Sequence, residues 1–102
     1  MSMIRISASR AALYPTLRHY ASHMLGEAAY QRRQDLGLSV AEAAALSGLA
    51  LSQWMALEEG AWIPEDDSPE LQPIAETLEV DEFYVLLWAA ISRHNRDLLA
   101  AA

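Results

Sequence analysis

Apolar residues recur at three- and four-residue intervals through most of the chain and nowhere alternate over the length of a strand, so the pattern predicts helices alone. The first such set is Leu17, Tyr20, Met24, Leu25, Ala28, Ala29 and Leu36. Pro15 suits a first helical turn and places the start near residues 14–16. Gly26 weakens this helix midway and is where it can divide in two, and Gly37 accepts the left-handed backbone that ends it. Ahead of it, residues 1–12 carry Ser7 and Ser9 among mixed small residues and read as a loosely held arm or short helix.

Ser39 and Glu42 have the spacing of a capping box, which opens a short helix over 40–47 that Gly48 breaks. Helical spacing resumes over 51–59 with Leu51, Trp54, Met55 and Leu57, and Gly60 stops it. Two short helices about a glycine-containing turn make a helix-turn-helix pattern. Prolines and charge mark 62–69 as loop. The next helix opens at Ser68-Pro69 or Gln72-Pro73. The second is favoured, because Pro73 inside a helix begun at Pro69 would remove a hydrogen bond. Ile74, Ala75 and Leu78 are its buried positions, and Asp81 caps a last helix from Glu82 to about residue 99.

The expectation is an all-α chain of five or six helices, with extended N-terminal and C-terminal helices flanking a core over 26–86. The N-terminal arm or helix would span 1–25 and the C-terminal extension 87–102. At 102 residues and 53% hydrophobic composition, one domain with a single core is expected. Charge is strongly partitioned. Residues 1–33 hold five Arg against Glu27, residues 34–92 hold twelve acids and no base, and the tail sets Arg93 and Arg96 against Asp97. The net charge of −7 gives a long-range field that disfavours non-specific nucleic-acid binding. With no cysteine, a disulfide framework and a thiolate metal site are both excluded. The start of the chain lacks the apolar stretch of a secretory signal, and the longest apolar run, 83–91, is about half the length that crosses a bilayer. A cytoplasmic protein without a membrane partner is the expectation.

The joint register of these residues resembles the Cro/cI (XRE) family of phage-repressor helix-turn-helix regulators. Arg33 and Gly37 match the end of the family's first helix, Ser39 and Glu42 its capping positions, and Ala44 its packed small residue. Gly48 and Leu49 match the turn, Trp54 and Leu57 the apolar positions of the recognition helix, and Glu58, Gly60 and Pro64 its closing motif. Ala75, Leu78 and Val80 continue the register after a two-residue insertion, so the similarity spans residues 26–86. The resemblance implies a partly buried structural ion pair between Arg33 and Glu58, for which the planar guanidinium fork is suited. It also implies a sequence-specific DNA-binding transcriptional regulator acting as a homodimer on double-stranded DNA.

The outward positions depart from that pattern. The candidate DNA-facing residues are Ser39, Val40, Ala50, Leu51, Ser52, Gln53, Ala56 and Arg32. Ala50 stands where a Ser or Thr cap is usual, and Val40 where a polar residue often meets phosphate. Residues 37–64 hold three acids and no Lys or Arg. Leu51, Ala50 and Ala56 can touch a thymine methyl but cannot read guanine. Cations would have to come from Arg5, Arg10, Arg18 and Arg32, or from a partner subunit, helped by backbone amides at Ser39 and Ser52. Leu51, Met55 and Trp62 would leave an apolar patch unless terminal segments cover it, and such a patch marks an interaction surface. A second function class follows, a helix-turn-helix fold that binds protein as an adaptor, anti-repressor or DNA mimic.

The last helix carries more apolar residues than one face of a small domain needs, and homodimerisation through Phe83, Tyr84, Leu87, Trp88 and Ile91 is the expected use. His19, His23 and Glu27 share an i, i+4, i+8 line that can hold a metal, but with no fourth ligand they read as surface or interface histidines, so no metal is expected. Glu58-Glu59 and Glu65-Asp66-Asp67 read as solvated acids rather than general acid/base groups. There is no phosphate-cradling glycine loop, Ser/His/Asp arrangement or zinc motif, which argues against an enzyme and against a cofactor.

Overall fold

Residues 23–101 are described in a computed structural model, and among them every regular element is a helix. These are α1 (Leu25–Asp35), α2 (Val40–Ser47), α3 (Leu51–Glu59), α4 (Leu71–Leu78) and α5 (Glu82–Ala101). None of them is both long and apolar enough to cross a bilayer on its own.

Helix α1 begins at Leu25 because Met24 takes an extended backbone. The chain therefore breaks just before Gly26 rather than at it, and the expected start near Pro15, with Leu17 and Tyr20, lies outside the described residues. The first amide of α1 donates to Ser92 Oγ at 2.8 Å, and Ser92 Oγ donates in turn to the Trp88 carbonyl at 2.8 Å. A hydroxyl far along the chain thus satisfies an N–H that a helix start leaves orphaned. Gly26 is buried, and a β-carbon built on it would lie 2.6 Å from the Glu58 carbonyl oxygen and 2.8 Å from that of Leu57. Its place in α1 is set by the close passage of α3, not by helix division.

The bent pair α2–α3 has the boundaries that its local signals predict. Ser39 Oγ accepts from the Glu42 amide at 3.0 Å and the Glu42 carboxylate accepts from the Ser39 amide at 2.8 Å, closing the capping box. Gly48 takes φ +74°, and the following Leu49 amide reaches back to the Ala44 carbonyl at 3.1 Å. That closure releases the chain sharply, and its direction turns through 110° between the two helices.

Helix α4 starts between the two expected points. Leu71 is its first residue, so Pro73 falls in the first turn, where its missing N–H costs no helical hydrogen bond. Helix α4 packs on α2 and α5, and α1 packs on α3 and α5. The core they enclose holds Leu25, Ala28, Ala29, Ala44, Trp54, Leu57, Ile74, Ala75, Leu78, Val85 and Trp88, all nearly or fully buried. It reaches beyond the expected 26–86 span to Ser92, so the first half of α5 is core rather than extension.

Candidate interaction face

The framework behind the bent pair is electrostatic as well as apolar. Arg33 Nε donates to Glu58 Oε2 at 2.6 Å and Arg33 NH2 to Glu58 Oε1 at 3.1 Å, a two-pronged pair joining α1 to the end of α3. The side chains are only 8% and 11% exposed. Trp54 Nε1 donates to the same carboxylate at 2.5 Å, and Arg33 NH1 to the Leu38 carbonyl at 3.0 Å. The hydrogen bond that Arg33 donates to Glu58, outweighing desolvation by burial, holds the Arg33 pKa above its ordinary value. Glu58 is therefore a held structural carboxylate, unlike exposed Glu59, and the solvated reading of the pair applies to Glu59 alone.

Arg32 corrects an expectation. The sequence places it among DNA-facing cations, but it is fully buried, with NH2 donating to the Leu78 carbonyl at 2.7 Å. It lies on the line Leu25, Ala28, Ala29, Arg32, the helical spacing of a buried face, and it satisfies a carbonyl at the end of α4. Arg93 is also engaged, donating to the Pro64 carbonyl at 2.8 Å and pairing with Asp66, which pins the acidic loop to α5. Arg96 is exposed. Arg5, Arg10 and Arg18 lie outside the described residues.

The outward side of the bent pair presents Ser39, Ala50, Leu51 and Ser52 in exposed positions, with Gln53 and Ala56 half-buried. Val40 departs from its expected role, since its side chain packs partly against the core. Ala50 supplies no side-chain cap to α3, so the first amides of that helix remain open to an anion. Large apolar side chains are exposed here too: Leu46 at 64%, Leu51 at 51% and Met55 at 46%, whereas Trp62 is half-buried against the core. Exposed Glu42 and Glu59 flank them. The Ser39 amide and hydroxyl hold the Glu42 carboxyl below its ordinary pKa. The face is apolar and acidic at once; Ser39 is engaged with Glu42 in the capping box, which leaves exposed Ser52 and the first amides of α3 as its polar groups.

The residues expected to form a dimer interface divide. Trp88 is fully buried in its own core and cannot serve one. Tyr84, Leu87 and Ile91 are half-buried and Phe83 is 65% exposed. Between α1, the end of α3 and the second half of α5 lies a groove of about 410 Å³, whose apolar lining includes Met24, Leu57, Trp62 and Leu99. His23 Nε2 is 3.7 Å from Glu27 Oε1. His19 lies outside the described residues. Sequence reasoning did not foresee Gly26, Ser92 or the Arg93 pin, because each acts on a segment distant in sequence.

No family model, curated protein or solved structure matches the chain.

Proposed function

We propose that the chain is a helix-turn-helix regulator of the Cro/cI type, with α3 as the helix offered to the major groove of a DNA duplex. The observation that carries this reading is the bent pair itself. Its 110° turn over three residues lies within the range of such motifs, and the Arg33–Glu58 pair fixes it to α1. The open amides at the start of α3 and exposed Ser52 are suited to phosphate contacts.

Charge sets the magnitude. Among the described residues Arg32, Arg33 and Arg93 are committed to the protein itself, so phosphate neutralisation falls to Arg5, Arg10, Arg18 and at most Arg96. Three such contacts per chain give a log–log salt slope of about −3, far shallower than a cation-rich repressor shows. Titration of labelled duplex from the gene's own upstream region at two ionic strengths tests this. Binding at low salt with that shallow slope is expected; no binding at low salt by folded protein removes the reading.

A second reading rests on a different observation, the exposure of the large apolar side chains Leu46, Leu51 and Met55 on the bent pair. A protein surface would cover that patch, and the same titration would then show no duplex binding at any salt.

A further inference from the structure

We infer, resting on the duplex reading above, that α3 selects its site through the methyl groups of thymines rather than through the hydrogen-bonding edges of bases. The observation is the chemistry of the side chains that the start of α3 leaves open. Ala50, Leu51, Ser52 and Met55 are exposed there, Leu51 at 51% and Met55 at 46%. Trp54 and Leu57 go to the core from the other side of the helix. The outward set therefore holds three apolar side chains, one hydroxyl and no charge.

Each base pair shows the major groove a different set of groups, and each set has side chains suited to it. Guanine suits Arg or Lys, adenine Asn or Gln, and cytosine a carboxylate. Helix α3 has no Arg, Lys or Asn, and its Gln53 is half-buried. Its acids, Glu58 and Glu59, stand at the far end, away from the N-terminal residues with which such a helix addresses base edges. Glu58 is also held by Arg33 and Trp54. Ser52 can bond to more than one base and so selects none. Apolar contact is what remains, and the thymine methyl is the group in the major groove that answers it.

The energetics run the same way. Pressing Leu51 or Met55 onto a guanine or cytosine edge strips water from polar groups and returns no hydrogen bond. Pressing them onto a methyl removes two apolar surfaces from water at once. Spacing then limits the site. Side chains four residues apart on a helix have β-carbons about 5 to 6 Å from each other, and successive bases of one strand lie about 3.4 Å apart along the duplex. Leu51 and Met55 accordingly meet thymines no more than two base steps apart.

Duplex from the gene's own upstream region, prepared once with thymidine and once with deoxyuridine throughout, isolates the methyl, since the two differ in that group alone. The full chain is expected to bind the thymine duplex at least about 10-fold more tightly at low salt, from about fourfold for each of two buried methyls. Met55→Ala, at an exposed position, should keep the helical circular dichroism and lower that ratio about fourfold. Leu98→Ala, exposed on α5, should leave the ratio unchanged. Equal affinity for the two duplexes overturns thymine recognition and leaves the duplex reading standing. A ratio that Met55→Ala does not lower overturns the assignment of the contact to α3. Absence of binding to either duplex removes both readings.

Discussion

Gly26 sits where α1 passes over the end of α3, and helix propensity and packing make opposite predictions there. Propensity alone gives Gly26→Ala a gain of about 1 kcal/mol. The added carbon would instead meet two backbone carbonyl oxygens, those of Glu58 and Leu57, at 2.6 and 2.8 Å. Backbone cannot step aside as a flexible side chain does, so the helices must separate, at a cost of about 1 to 3 kcal/mol. Urea unfolding of Gly26→Ala should therefore show a lower midpoint than the unaltered chain; a higher midpoint would mean that the helices do not meet this closely. The adjacent residues Arg32 and Arg33 show what a sequence carries at this scale. The register that Arg33 shares with the Cro/cI pattern implies an ion pair, and its guanidinium meets Glu58 in two hydrogen bonds. The charge of Arg32 points outward to phosphate, but its place on the line from Leu25 through Ala28 and Ala29 puts it on the buried face.

At the scale of elements, ends decide what was legible. The boundaries of α2 and α3 followed from Ser39, Gly48 and Gly60, residues that act on backbone within a few positions of themselves. The start of α1 did not, because its first amide is satisfied by Ser92, 67 residues away. Two expectations belong to these ends. The capping box depends on an ionised Glu42, whose pKa in the folded chain lies below the ordinary glutamate value of 4.5. Its stabilising contribution is complete above that value and is lost as pH falls through the lower, folded one. Glu42→Gln keeps the reach without the titration, so the two chains should differ in denaturation midpoint at neutral pH and converge in acid. A difference that persists unchanged into strong acid would remove the carboxylate from the cap. At the end of α4, Glu79 takes φ +55°, the left-handed conformation that Gly37, Gly48 and Gly60 adopt elsewhere. A side chain in that conformation costs about 1 to 2 kcal/mol, partly offset by the greater entropy of glycine in the unfolded chain. Glu79→Gly should accordingly stabilise by about 0.5 to 1 kcal/mol, read as a rise in the midpoint of thermal or urea unfolding.

At the scale of the whole molecule, the question is whether the missing cations reflect a different partner or only a weak grip on the usual one. Adding a charge can separate these where removing one cannot, because the bent pair has no cation to remove. Leu51 is half exposed at the start of α3, where a lysine would meet phosphate if that helix enters a groove. Leu51→Lys raises the net charge by one, as does Glu76→Gln at an exposed position on α4. A purely long-range effect would treat the two alike. A direct phosphate contact would not, since it releases counterions and steepens the log–log salt slope by about 0.9. Leu51→Lys is therefore expected to bind duplex more tightly, with that extra slope, while Glu76→Gln shifts affinity slightly and leaves the slope unchanged. Equal slopes for both variants would detach α3 from the duplex. Exposed Leu51 and Met55, one turn apart on α3, would then belong to the working surface, and Leu51→Lys would be the variant that damages it.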